Sequence, residues 1–259
     1  MVNEFLHTWA IILGGSSGLG LASAKKLAKN GMNICIIHRN TRVELPEIEK
    51  EFESIKSTGI SFLSFNIDAL QPEKRQEIIN QIKIEIGSDK VKCLIHSIAK
   101  GSLKSMSSEN SLSNDDFLLT INAMAISLYD WTKAVFEAEL FHNDARIISF
   151  TSEGSLKPIP NYGAVSAAKA TLEAISRQIA YEFAEFGIKS NCIQAGVTNT
   201  KSLQLIPNSE KIKEFAIKRN PFKRLTEPED VANVVYLLCK EEAKWINGTV
   251  IKVDGGESL

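Results

Sequence analysis

The stretch Trp9-Ala10-Ile11-Ile12-Leu13-Gly14-Gly15-Ser16-Ser17-Gly18-Leu19-Gly20-Leu21-Ala22 passes from a short apolar run, through a glycine-rich turn, into a segment with helical spacing. A continuous apolar run bounded by glycines suits a strand covered on both faces. Gly14, Gly18 and Gly20 follow it with the spacing G-x-x-x-G-x-G. Glycine at such positions permits a tight strand-to-helix turn and lets a pyrophosphate approach the positive end of the helix dipole. A glycine-rich turn alone serves equally well as a plain loop. Placed after a strand, before a helix and at the opening of a βαβ unit, it points to a nucleotide.

The same succession recurs down the chain. Short apolar runs at 9–13, 32–37, 60–65, 91–95, 146–150, 190–193 and 249–253 alternate with longer amphipathic segments. One segment carries Leu118, Ile121, Ala125, Leu128, Thr132 and Val135, another Ala168, Leu172, Ile175, Ile179 and Phe183, at the three-to-four spacing of a buried helix face. Gly31 and Gly187 are stop signals for the first and fifth helices, and Thr226-Glu227-Pro228-Glu229 has the form of a capping box opening a late one. No repeat, low-complexity stretch or linker divides the sequence. The expected fold is α/β: a single Rossmann-type doubly wound domain over residues 1–259, with a seven-stranded, mostly parallel sheet and helices on both faces.

Composition narrows the partners. Of 259 residues 44% are hydrophobic and 24% charged, a balance that excludes disorder, collagen and coiled coil. Thirty Lys and Arg against thirty-one Asp and Glu give a net charge of -1 without runs of like charge, so no footprint for nucleic acid or an anionic membrane is visible. A small-molecule substrate is the expectation. Cys35, Cys93, Cys192 and Cys239 are scattered and read as reduced core residues, and the four histidines show no metal-ligand spacing. The opening residues lack a basic segment, and their apolar stretch is too short for a signal peptide or a membrane span, so a cytoplasmic protein is expected.

The end of the second strand discriminates between nucleotides, because an acid there would bind the adenosine ribose 2′-hydroxyl and a base would accommodate a 2′-phosphate. Ile37-His38-Arg39-Asn40-Thr41-Arg42 contains no acid. Arg39, with His38 or Arg42 beside it, suits a phosphate clamp and favours NADPH over NADH. The plainer alternative is that Arg39 and Arg42 are solvated loop charges.

These residues, with Asn122 in a helix, Ser152 after a strand, a Tyr/Lys pair opening the next helix and Val253-Asp254-Gly255-Gly256 near the end, resemble the short-chain dehydrogenase/reductase family across essentially the whole chain. The resemblance implies a Rossmann domain, a nicotinamide cofactor, hydride transfer and a homotetramer built on helix-to-helix contacts. The cofactor site it implies comprises Gly14, Ser16, Ser17, Gly18, Leu19, Gly20, Arg39, Asp68, Ser97, Ile98, Ala99, Lys169, Ala195, Gly196, Val197 and Thr200, with Asp68 by the adenine and Thr200 by the nicotinamide. It also implies a catalytic group of Tyr162, Lys169, Ser152 and Asn122, with Asn122 supporting the lysine through water. From its residue type alone, Asn122 is equally a bridge from helix to strand.

Three departures from the family pattern point the same way. Val165 stands four residues before Lys169, and the nearest preceding tyrosine is Tyr162, giving Tyr-x6-Lys in place of Tyr-x3-Lys. The segment after the fourth strand is His96-Ser97-Ile98-Ala99 in place of Asn-Asn-Ala-Gly, and Ala195-Gly196 replaces Pro-Gly after the sixth. All three resemble the enoyl-acyl-carrier-protein reductases of fatty acid biosynthesis. Ser152, where the best-known branch has a second tyrosine, and the glycine loop itself are similar to the smaller NADPH-dependent, FabL-type branch, as are Ile206-Pro207-Asn208 and the ending from Asp254 to Leu259. The substrate so implied is an enoyl thioester of acyl carrier protein or coenzyme A.

The spacing has a chemical consequence. At i and i+4 of a helix a lysine ammonium approaches the phenol and lowers its pKa, suiting it to protonate a carbonyl oxygen. At i and i+7, with roughly 10 Å of helical rise between them, the phenol reaches a different point of the pocket. Conjugate reduction needs that displacement, because hydride attacks the β-carbon while charge develops on the thioester oxygen several bonds away. Tyr162 is therefore expected to serve the enolate oxygen, and Lys169 the nicotinamide ribose. Ser152 has three candidate partners: the thioester oxygen, a ribose-side water or Tyr162.

His96, ending a buried strand, is expected to be a structural histidine, and Trp131, Phe136 and Phe141 core or interface residues. Residues 202–221 are expected to form a substrate-binding lid that orders over an acyl chain. Lys201, Lys211, Lys213, Lys218 and Arg219 near it are either a solvated face or a surface for an acidic carrier protein. Two alternatives to an enoyl reductase remain: a 3-ketoacyl or other carbonyl reductase, and a nucleotide-binding regulatory protein without turnover. Neither a G-x-S-x-G nucleophile motif nor a P-loop lysine is present.

Overall fold

The computed structural model describes residues 4–206 and 208–259. The first half runs β1 (Thr8–Leu13), α1 (Gly18–Lys29), β2 (Asn33–His38), α2 (Leu45–Lys56), β3 (Phe62–Asn66), α3 (Pro72–Ile86) and β4 (Lys90–His96). The second runs α4 (Asn114–Ile121), a π-helical turn (Asn122–Ile126), α5 (Ser127–Glu137), β5 (Phe141–Thr151), α6 (Gly163–Glu182), β6 (Ile188–Ala195), α7 (Lys201–Gln204), α8 (Ser209–Arg219), α9 (Pro228–Cys239) and β7 (Val250–Val253).

The strands form a seven-stranded sheet in the order β3-β2-β1-β4-β5-β6-β7. Every neighbouring pair is parallel, where the sequence suggested only mostly so. Alternate residues of β1 feed opposite layers, as strand geometry requires. Ala10 and Ile12 join Leu27 of α1, Phe52 of α2 and Val235 of α9, whereas Trp9, Ile11 and Leu13 join Ile79 of α3, Trp131 of α5 and Leu172 of α6. This two-sided burial explains why the strands are continuous apolar runs. The order reverses between β1 and β4, and open α/β sheets bind ligands at the carboxyl ends of the strands at that point.

At the opposite, amino edge of the sheet, three cations converge on one carboxylate. Asp144 accepts from Arg146 Nη1 at 2.5 Å, Lys189 Nζ at 2.7 Å and Lys92 Nζ at 2.7 Å. The Arg146 guanidinium is buried and also donates from Nε to the Leu238 carbonyl at 2.7 Å, tying β5 to the end of α9. Burial pushes the Asp144 pKa up, but the hydrogen bonds from Arg146, Lys189 and Lys92 outweigh it and hold the carboxyl well below the usual range.

Local structure departs from expectation at three places. The single helix suggested over 118–135 is split by the π-helical turn, where the buried Ser127 hydroxyl donates to the Ala123 carbonyl at 2.8 Å. The cap of α9 is shifted by one residue: Glu227 is the N-cap, and its N–H donates to the Asp230 carboxylate at 2.9 Å. Thr226 instead bridges to Thr198. All four cysteines are buried free thiols. Among the described residues no helix is long and apolar enough to cross a membrane.

Candidate active site

The glycine turn is built by the ends of three strands. Gly14 N–H donates to the Ile37 carbonyl at 2.8 Å, and Ser97 N–H to the Leu13 carbonyl at 2.8 Å, so the loops after β1, β2 and β4 are tied together. Gly14 has φ +80°, and a Cβ on it would stand 2.6 Å from the Ser97 carbonyl oxygen, which excludes any other residue. Ser17 caps α1 in extended conformation without a side-chain bond, and the first turn holds no acid. The N–H groups opening α1 are therefore open to an anion, which fits a pyrophosphate.

A cavity of about 800 Å³ starts at this turn. Gly14, Ser17, Gly18 and Leu19 of the turn, Ser97, Ile98 and Ala99 after β4, Ser152, Tyr162 and Lys169, and Ala195, Gly196, Val197 and Thr200 after β6 all line it. Its volume and lining suit a dinucleotide and a substrate together. Ser16 and Gly20 stand outside the lining; Gly20 is buried behind the turn against the Gly14 carbonyl.

Arg39 and Asp68 also lie outside that cavity, and they pair with each other at 2.6 Å. Asp68 in turn accepts from Leu70 N–H at 3.0 Å. A 2′-phosphate reaching Arg39 would thus compete with a fixed carboxylate. His38 does not stand beside Arg39 as a second clamp. It is buried edge-on against Phe52, with Nδ1 3.0 Å from Asn40 Oδ1, and burial lowers its pKa, so it is a neutral packing residue. Arg42 lies exposed.

Tyr162 is not on a helix. It is the N-cap of α6 with φ −111°, following Asn161 at φ +61°, so the expectation of two residues separated by seven helical positions is corrected. Its hydroxyl lies 3.4 Å from Ser152 Oγ. Tyr162, one of the three partners open to Ser152, is thus within its reach. The ring packs against Gly154, where a Cβ would come within 2.6 Å of Tyr162 Cε1. Burial raises the Tyr162 pKa, and the bond with Ser152 opposes that rise. Val165, in the family's usual tyrosine position, is an apolar wall packed with Ala123, Met124 and Ala168.

Lys169 is buried on α6 and donates from Nζ to the Phe150 carbonyl at 2.6 Å. Burial pulls its pKa down to about 8, with Cys192 and Glu173 opposing. His96 is a buried structural histidine as expected: Nε2 meets Ser127 Oγ at 2.8 Å, and burial, then the Lys169 charge, bring its pKa to about 3. Asn122 is not brought to this group. It opens the π-helical turn on an exposed face, outside the cavity lining.

α7 and α8 cover the cavity from the 202–221 segment, of which Pro207 lies outside the described residues. Leu203, Ile206, Ile212 and Phe215 line it from above. Arg219 is bound within the chain: its Nη2 donates to Glu153 at 2.5 Å and to the buried Glu257 at 2.6 Å, tying α8 to the residue after Ser152 and to the segment after β7. Glu257 Oε2 also accepts from Val197 N–H at 3.0 Å. Lys213 pairs with Glu210 at 2.8 Å, while Lys211 lines the cavity.

Glu153, Gly154 and Glu173 are site residues that the sequence pattern does not announce. Gly154 stands between Ser152 and Tyr162, where a glycine suggests a close approach, whereas a glutamate on a loop or helix ordinarily faces solvent and carries no such signal.

Residues 14–258 match the family model described as "Enoyl-(Acyl carrier protein) reductase". The chain belongs to the short-chain dehydrogenase/reductase family of oxidoreductases. It is 26% identical over 257 residues to a short-chain type dehydrogenase/reductase of Picea abies, covering 96% of this chain and 91% of that one. Among solved structures it is similar to an enoyl-[acyl-carrier-protein] reductase (NADH) from Aquifex aeolicus VF5, with a TM-score of 0.86, 24% identity and coverage of 99% of this chain and 98% of that one. A short-chain dehydrogenase from Burkholderia cenocepacia J2315 in complex with NADP superposes with a TM-score of 0.85 at 22% identity, covering 99% of this chain and 100% of that one.

Proposed function

We propose that the protein is an NADPH-dependent reductase of trans-2-enoyl thioesters carried on acyl carrier protein or coenzyme A, of the FabL type, working in fatty acid biosynthesis. The observation that carries this reading is the position of the Tyr162 phenol, ahead of α6 and against Ser152, while Val165 fills the wall four residues before Lys169. The phenol is displaced from the place where a ketone oxygen would be served.

When bound, a reduced nicotinamide would supply hydride for the β-carbon. Gly14, Ser17, Gly18 and Leu19 with the start of α1 would hold its pyrophosphate, and Arg39, now paired with Asp68, would hold its 2′-phosphate. Ser97, Ile98, Ala99, Ala195, Gly196, Val197 and Thr200 would line the nicotinamide half. The Lys169 ammonium would bond the ribose hydroxyls. Tyr162 stays protonated at neutral pH, because burial raises its pKa, and it donates a hydrogen bond to the thioester oxygen as negative charge gathers there, the enolate then taking a solvent proton at the α-carbon. Ser152 holds the phenol through its hydroxyl. Leu203, Ile206, Ile212 and Phe215 exclude water above the acyl chain. The exposed Leu118, Leu119, Ile126 and Tyr129 on α4, the π-helical turn and α5 suit contacts between copies in a homotetramer, with Asn122 on that same face.

The test is loss of NADPH absorbance on adding crotonyl thioester to purified protein. Saturable NADPH binding with no turnover of any thioester would instead make the chain a nucleotide-binding regulatory protein.

A further inference from the structure

Glu173 lies on α6 one turn beyond Lys169 and is buried, a costly place for a carboxylate that the reaction above does not use. It does not stand alone. The Thr151 hydroxyl, itself buried at the last residue of β5, donates to Glu173 Oε1 at 2.5 Å. Thr151 is flanked by Phe150, whose carbonyl receives the Lys169 ammonium at 2.6 Å, and by Ser152, which meets the Tyr162 phenol. Helix and strand are thus joined at two successive points, side chain to side chain and side chain to backbone. Thr151 itself lines the cavity beside Phe150, Ser152 and Lys169.

We propose that Glu173 is a positioning residue that, with Thr151, staples the end of β5 onto α6 and so fixes both the Lys169 ammonium and Ser152. The inference rests on the reading that Lys169 and Tyr162 work on a cofactor and a thioester. Electrostatics supports it from a second direction. Beside burial, Cys192 of β6, a buried thiol, and Glu173 on its own helix act on the Lys169 ammonium, whose charge in turn bears on the neutral His96 of β4. Glu173 is the one carboxylate among these, and its charge opposes the loss of the proton that burial promotes.

Two substitutions separate the two duties. Glu173→Gln keeps an acceptor for Thr151 and removes the charge; Thr151→Val removes the bond and keeps the charge. The first readout needs no substrate: the pH titration of the Lys169 13Cε resonance in lysine-labelled protein, assigned by its loss in Lys169→Arg. In Glu173→Gln the midpoint should move about one pH unit lower than in the wild type. The alkaline limb of kcat should move down with it. In Thr151→Val, kcat should fall about tenfold with KM for the thioester nearly unchanged, and Thr151→Ser should restore it. An unmoved lysine midpoint in Glu173→Gln together with unchanged kcat in Thr151→Val would overturn the staple. A wild-type protein silent towards thioesters would overturn the reductase reading, while the lysine titration would still decide whether Glu173 acts on Lys169.

Discussion

The two ends of the sheet treat charge in opposite ways. At the amino edge, one carboxylate, Asp144, is saturated by Arg146, Lys189 and Lys92, and the guanidinium also satisfies a helix end. At the carboxyl edge, among the described residues, the buried Lys169 ammonium has one hydrogen-bond partner, the Phe150 carbonyl, and the Tyr162 hydroxyl one, Ser152 at 3.4 Å, long for a hydroxyl pair. A saturated cluster has nothing left to offer a ligand, so it serves stability. An undersatisfied buried pair beside a cavity keeps donors free for a ligand, and the desolvation that shifts both pKa values is the mark of that arrangement.

Four substitutions would break or sharpen this contrast. The largest effect is expected at Tyr162→Phe: kcat with an enoyl thioester should fall about 100- to 1000-fold, with the unfolding midpoint and NADPH binding close to wild type, as steady-state kinetics and a melting curve would show. Asp144→Asn should do the reverse, costing about 2 kcal/mol in denaturant unfolding while leaving kcat of the folded enzyme intact, because it removes the charge that Arg146, Lys189 and Lys92 share. The stabilisation from Asp144 is fully present above about pH 4, where the unfolded carboxyl is ionised, and fades as pH falls towards its depressed folded value. Third, Gly154→Ala should push the Tyr162 ring aside and lower kcat about tenfold, with substrate affinity less affected. The smallest effect belongs to Arg39→Ala, which should weaken NADPH about fivefold in a fluorescence titration and leave NADH unchanged. Equal weakening of both would show that Arg39 ignores the 2′-phosphate.

The strands were legible because burial on both faces leaves one kind of sequence, a short unbroken apolar run. β5 shows where that signal stops: its first residues include His142, Asn143 and Asp144, of which Asp144 anchors the amino-edge cluster and Asn143 is exposed, so the run visible at 146–150 is only the end of an eleven-residue strand. The π-helical turn was hidden for a different reason, since its Ala123, Met124 and Ala125 are as apolar as the helices it joins. At the site, the glycine turn and the Tyr162/Lys169 spacing could be seen because each depends on local residue order. The Arg39–Asp68 pair, the Thr151–Glu173 bond and the Arg219 tie to Glu153 and Glu257 join residues far apart in the chain, and no local pattern announces them. Asn122 marks the converse: its position matches the family pattern, yet the π-helical turn leaves it on an exposed face.

The central claim is that the displaced phenol serves the oxygen of a conjugated thioester rather than that of a ketone. It is tested most directly by offering crotonyl and acetoacetyl thioesters in parallel, with saturating NADPH, and comparing kcat/KM for the two. The account predicts a preference for crotonyl of about a hundredfold or more. Faster reduction of acetoacetyl would contradict it and make the protein a carbonyl reductase whose proton donor stands outside the usual register.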